Sequence, residues 1–411
     1  MKKVLVSIFT ITVIGLFLSC SSDNNDIIPT DDGDQEVNTK LTGQITEDKT
    51  LTNDEIWEIE GRVTVTNGAT LTIEAGTIIK AFAGSGANAS TLIIARGAKI
   101  MANGTASNPI IFTSVADNIQ LGQTAGGNLN ENDRGLWGGL IVLGNAKISV
   151  LGNSSETQIE GIPASDTNGL YGGNDNADNS GVINYVSIRH GGAEIGEGNE
   201  INGLTLGGVG SGTSISNVEV VGNVDDGIEF FGGAVNVSNA LVWAQGDDGL
   251  DIDQAYSGTI SNSVVIEGDI SDHGLEIDGP EGALEGSFTL DGITLIGNLI
   301  TENGEYADFR SNAMGTVKNV YARGFKTSSD VELDNDGIAT NYNDGILVFG
   351  TWQIVLPEGV TNVQDIFVNK AETVIVTGFG DTAQAITEGN ETVGANLSDF
   401  SWTYANSKGA L

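Results

Sequence analysis

Ser216-Asn217-Val218-Glu219-Val220, Ser238-Asn239-Ala240-Leu241-Val242 and Ser261-Asn262-Ser263-Val264-Val265 are one phrase written three times, at intervals of 22 and 23 residues. Each copy sets a Ser-Asn pair before a short alternating strand, and the interval is about one coil of a parallel β-helix. Ile183-Asn184-Tyr185-Val186-Ser187 upstream and Lys318-Asn319-Val320-Tyr321-Ala322 downstream carry the same Asn before a strand. Stacked coils place one turn residue about 4.8 Å above its counterpart. A side-chain amide donates to one neighbour and accepts from the other, so a column of Asn satisfies itself in the stack. A single Asn would be read as a turn cap. Several in register predict a ladder.

The N-terminal half points the same way. Gly61 to Lys80 (GRVTVTNGATLTIEAGTIIK) alternates strictly and turns at Asn67-Gly68 and Ala75-Gly76. Leu92 to Ser114 repeats the pattern, with turns at Gly97-Ala98 and Gly104-Thr105. Short strands at close spacing, with no helical stretch, predict an all-β fold. The expected architecture is a right-handed parallel β-helix over residues 45–411, a single domain of on the order of fifteen coils. Two inserts rich in Asn, Asp and Gly interrupt it, Asp117 to Arg134 and Ile162 to Ser180. Long insertions in a solenoid emerge on one face, often the binding face.

Aligning the coils on their Asn residues brings acids into register. Asp225-Asp226-Gly227-Ile228-Glu229-Phe230 falls under Asp247-Asp248-Gly249-Leu250-Asp251-Ile252-Asp253, then Asp272-His273-Gly274-Leu275-Glu276-Ile277-Asp278. Tyr306 to Arg310 and Asp330 to Asp334 follow. Apolar residues alternate with the acids, so one set faces the core and the other faces out. The prediction is an exterior column of Glu229, Asp251, Glu276, Asp308 and Glu332, beside a second of Phe231, Asp253, Asp278, Arg310 and Asp334. Like charges on adjacent strands are destabilising. Raised pKa values, a bound cation or a basic partner such as Arg310 must compensate. Two readings follow. One is a solvated face that keeps sheets soluble. In the other, Glu229, Asp251, Asp253, Glu276, Asp278, Asp308, Glu332 and Asp334 hold calcium, a hard cation that takes several carboxylate oxygens. Glu332-x-Asp334-x-Asp336-Gly337 also resembles the first half of an EF-hand loop, although Asn343 stands at the twelfth position.

Compartment and charge come from the rest of the chain. Lys2 and Lys3 precede the apolar run Val4 to Leu18, which is too short for a spanning helix and reads as a cleaved export signal, residues 1–19. Cys20, the only cysteine, follows it directly, so disulfides contribute nothing. Residues 20–44, rich in Asp and Asn, read as an acidic tether. The formal charge is −38, and cleavage removes Lys2 and Lys3 and no acid, leaving −40. Such a field repels polyanions, which excludes nucleic acid as a partner.

The Leu16-Phe17-Leu18-Ser19-Cys20 phrase resembles the lipobox of bacterial lipoproteins, in which the cysteine is acylated. That resemblance implies a lipid anchor at Cys20, and acids just after it imply the outer membrane and its outer face. Gly135 to Ala146 (GLWGGLIVLGNA), Ile159-Glu160-Gly161, Asp178 to Gly181, Asn202 to Gly210 and Asp225 to Gly233 (DDGIEFFGG) are similar to a family of β-helix lipoproteins found in Bacteroidetes and other Gram-negative bacteria. A narrower resemblance is to polygalacturonases, which carry N-T-D, G-D-D, G-H-G and R-I-K phrases in that order. Here Asn223-Val224-Asp225-Asp226-Gly227, Gly246-Asp247-Asp248, Asp272-His273-Gly274 and Arg310-Ser311-Asn312 follow it. The resemblance implies Asp248 as general acid, Asp226 and Asp247 activating water, His273 supporting the acid and Arg310 holding substrate. The chain departs from the pattern at Asn312, in place of Lys, and at Asp272, in place of Gly. Its charge also repels a polyuronate.

His190 is expected at a strand end, and two histidines give no basis for a His-based zinc site. Trp137, Trp243 and Trp352 read as packing rather than as a sugar platform. The leading functional reading is a non-catalytic surface lipoprotein that binds calcium, or a carbohydrate bridged by cations. A polysaccharide hydrolase is the alternative, and a structural envelope lipoprotein or an accessory to an outer-membrane protein is the third.

Overall fold

Among the described residues, twenty-five strands pair into one continuous sheet, wound so that three parallel stacks run side by side along the solenoid. Parallel crossovers wind to the right, and the result is a right-handed parallel β-helix. The computed structural model describes residues 38–194 and 201–411. The export segment and Cys20 lie outside the described residues. The first strand, Lys40–Ile45, starts ahead of the expected boundary at residue 45 and already pairs with the next coil.

The stack that carries the acids is the most regular. Gly43, Val63, Leu92, Leu140, Leu204, Ile228, Leu250, Leu275, Ala307, Val331 and Phe367 lie one above another in parallel register, eleven strands in all. From Val63 to Val331 these side chains are at most 1% exposed, each worth roughly 1.5–3 kcal/mol of burial for a Val, Leu or Ile. Eleven coils are fewer than about fifteen, because the 22- and 23-residue interval holds only in the middle. Val182 sits under Ser214, and Thr259 under Thr289. The inserts and longer turns take up the difference.

The ladder forms as expected. Asn217 donates to Asn184 Oδ1 (2.8 Å), Asn239 to Asn217 Oδ1 (2.9 Å) and Asn262 to Asn239 Oδ1 (2.6 Å). Asn217, Asn239 and Asn262 adopt φ of 52°, 56° and 48°, the left-handed region that Asn tolerates better than other side chains. Asn319 continues the line by donating to Asp291. Trp137 and Trp352 are fully buried and Trp243 is 8% exposed, so all three are packing.

Two short helices break the all-strand expectation. Asp336–Asn343 starts on an Asn335 cap and removes the EF-hand resemblance. The Asp336 carboxylate accepts from the Thr373 hydroxyl and from the Thr373 and Val374 amides, which hold its pKa low. It is a structural staple. Tyr404–Lys408 closes a C-terminal segment that runs back over the outside of the solenoid. Its path is marked by Gly394 donating to Asn319 O, Ala395 to Thr294 Oγ1 and Asn396 to Asn262 Oδ1. It ends with buried Glu219 accepting from the Tyr404 and Ala405 amides.

The inserts border the acidic stack along its two edges. The first meets the turns before the strands, with Arg134 on Ala244 O and Asp269 and the Asp133 carbonyl on His190. The second, which begins near residue 145, meets the turns after them. There Ser149 N donates to Gln254 O, Tyr171 to Gln254 and Leu151 N to Glu281.

Candidate functional site

Between those walls the acids stand in the predicted register. Thr205, Glu229, Asp251, Glu276, Asp308 and Glu332 are successive coil partners. Phe231 pairs with Asp253, and Arg310 N donates to Ile277 O, which sets its side chain over Asp278. Alternation on Leu250, Ile252, Leu275 and Ile277 turns the carboxylates away from the apolar core.

They are not, however, a solvated exterior. Glu229 is 6% exposed, Asp251 7%, Asp308 6% and Glu332 5%. Coil spacing brings carboxylates together, so that ligand atoms of Asp226, Glu229 and Asp251 lie within 4.8 Å of one another. Asp334 alone among the expected ligands is exposed, and it joins no carboxylate cluster among the described residues. Asp253 and Asp308 also stand outside the clusters.

Burial and crowding set the electrostatics. Burial pushes Asp226, Glu229 and Asp251 well above the usual carboxylate range, and neighbouring carboxylates push further. Glu276 rises to about 9 through burial and the charge of Asp248, against the pull of Arg310. Asp253 rises to about 7 through burial and then Asp278. Asp247 and Asp308 each rise to about 6, chiefly through burial. For His273 burial acts downward, but the hydrogen bond and charge of Asp248 lift it to about 10.

Basic side chains neutralise part of this field. His273 Nδ1 lies 2.7 Å from Asp248 and 3.6 Å from Glu276. Arg310 Nη2 binds Glu276 and Asp278 (2.7 Å to Asp278), with Nε 3.0 Å from Asp278. Lys370 binds Glu332. Asp226, Glu229 and Asp251 have no such partner among the described residues, although their ligand atoms lie within 4.8 Å of one another. Asp226 Oδ1 accepts from Asp248 N, and Glu229 Oε2 accepts from Asn202 Nδ2. Asp251 Oδ1 and Asn202 Oδ1 are buried and have no hydrogen-bond partner. This is a buried cluster of three carboxylates, one edge of which continues to the rim through the Asp225–Asp226–Asp247 cluster, where Asp247 is exposed.

The residues implied by the hydrolase resemblance are also drawn together. Asp248 Oδ1 accepts from both His273 N (2.8 Å) and His273 Nδ1, and Asp226 touches the Asp248 amide. Asp248 is only 3% exposed, and the Arg310 guanidinium is occupied by protein carboxylates.

Three members of the site escape a reading of the sequence. Asn202 lies one coil before the first acid, in a phrase with no carboxylate to flag it. Lys370 follows Asn369, the partner of Leu333, in a coil whose repeat has decayed. Glu305, which clusters with Asp330 and Glu332, sits at a strand start, and burial with a hydrogen bond to Asp330 raises it to about 7.

A family model described as the pectate-lyase-like β-helix domain matches residues 43–405. No curated protein and no solved structure matches the chain.

Proposed function

The chain belongs to the pectate-lyase-like β-helix domain family, and from that premise we propose that it is a non-catalytic, lipid-anchored surface protein of the outer membrane that binds calcium between Asp226, Glu229 and Asp251, and through calcium a carbohydrate. The observation that carries the reading is Asp251, whose Oδ1 is buried and unpartnered, in a trio of carboxylates that no basic side chain among the described residues reaches. A buried charge left unpaired is costly. Protons or a cation must neutralise it, and hard divalent ions take such oxygens at 2.3–2.6 Å, six to eight at a time. Three carboxylates and the Asn202 carbonyl leave positions for water or saccharide hydroxyls. Calcium titration of the mature chain tests this by calorimetry: binding that Asp251→Asn abolishes supports the reading. A chain that takes up no calcium at millimolar concentration is better described as a structural envelope lipoprotein.

The contact of Asp226, Asp248 and His273 favours a second reading, hydrolysis of a polysaccharide with Asp248 as the acid. Release of reducing sugar from plant or algal polysaccharides that is lost in Asp248→Asn would replace the first reading with this one.

A further inference from the structure

A second carboxylate cluster, Asp251, Glu276 and Asp278, shares Asp251 with the first, and its ligand atoms also lie within 4.8 Å of one another. Its occupant is part of the chain. Arg310 enters from the next coil and forks onto Glu276 and Asp278, with its side chain 36% exposed at the groove surface. The turn after it is built for this: Ser311 and Asn312 both adopt positive φ (44° and 58°), and Gly279 packs so closely against them that a Cβ would lie 2.3 Å from Ser311 O. Asp251 belongs to this cluster as well, and its Oδ1 is buried without a hydrogen-bond partner. We propose that Asp251, Glu276 and Asp278 form a latent second divalent-cation site in which Arg310 is the resident cation, so that the groove takes up one metal ion rather than two. A planar guanidinium satisfies two carboxylates at once and cannot lose its proton. While it stays, a metal ion finds the oxygens of Glu276 and Asp278 taken and meets a like charge. The argument rests on the cation-binding reading above, but its test separates the two. Calcium bound per chain is counted by equilibrium dialysis on the full mature protein and on Arg310→Gln. The expected count is one for wild type, two for Arg310→Gln, and one again for Glu276→Gln with Arg310→Gln. A count of one in both wild type and Arg310→Gln overturns this inference and leaves the proposed function standing. A count of none in wild type and one in Arg310→Gln does the reverse. A count of two in wild type overturns the inference, as does an Arg310→Gln chain that folds neither without calcium nor with it, because the ion must be able to stand where the guanidinium was.

Discussion

Calcium should raise the melting temperature of the mature chain, and the size of the rise can be worked out. A ligand at 100 times its dissociation constant adds about 2.7 kcal/mol to the folded state. Unfolding entropy is about 2.1 cal/mol/K per residue, and Thr39–Leu411 forms one compact unit of 373 residues. If that unit melts cooperatively, its entropy is about 0.8 kcal/mol/K and the shift about 3–4 °C. The shift must depend on pH. Glu276 and Asp253 have folded pKa values of about 9 and about 7, above their ordinary 4.5 and 3.8. A carboxyl raised in this way stabilises the fold fully below its unfolded pKa and loses that contribution as pH climbs through the folded value. Without calcium, the chain should therefore soften steadily between about pH 4 and pH 9. With calcium, which must displace protons from Asp226, Glu229 and Asp251, all held well above the usual carboxylate range by burial, the gain should be small at pH 5 and largest at pH 8. Scanning calorimetry at both pH values, with and without calcium, measures it. Asp251→Asn with Glu276→Gln should lose the gain and melt higher than wild type in calcium-free buffer, since repulsion falls. An equal gain at both pH values, or a gain that survives the double substitution, refutes the reasoning.

Other outcomes are equally specific. Asn239→Ala takes a donor from Asn217 and an acceptor from Asn262, and should cost about 1–3 kcal/mol by denaturant titration, with roughly 1–2 kcal/mol of that range set by Ala in the left-handed region. Asn390→Ala, at an exposed position, serves as the control. Glu219→Ala leaves Arg189 buried and the Tyr404 helix without its acceptor. Loss of a buried partner costs about 3–5 kcal/mol, and limited proteolysis should then cut first in the C-terminal segment. Cys20→Ala should release the protein from the membrane fraction. Unchanged sedimentation with membranes would remove the anchor.

The repeat made the column legible because register in a solenoid is a property of spacing, and spacing is written in the sequence. Glu229, Asp251, Glu276, Asp308 and Glu332 could be stacked from the Ser-Asn phrases alone. Their burial could not. It depends on tertiary packing, to which the inserts contribute residues without periodicity, such as Tyr171 against Phe231 and Gln254. Nor could the division of the column into filled and unfilled clusters be read. Arg310 was visible as a basic residue in line, but Lys370 lies in a coil with no repeat left, and Asn202 is an uncharged side chain. The EF-like phrase misleads for a related reason. Acid spacing is the same whether the carboxylate meets a metal or, as Asp336 does, two backbone amides.

The C-terminal segment changes how the solenoid comes apart. In a stack of repeats each coil touches only its neighbours, and melting can proceed from either end like a zipper. Here one segment is fastened to five successive coils, at Asn319, Thr294, Asn262, Trp243 and Glu219. It covers an outer apolar strip of Val221, Leu241, Val264, Ile266 and Ile296 with Phe400 and Tyr404. Those coils also carry Glu229, Asp251 and Glu276 on their other face. Loss of one coil therefore strains the binding of the other four, and the stretch behaves as a block that opens together or not at all. The geometry of the carboxylates is held from behind, by the segment that closes on the Tyr404–Lys408 helix.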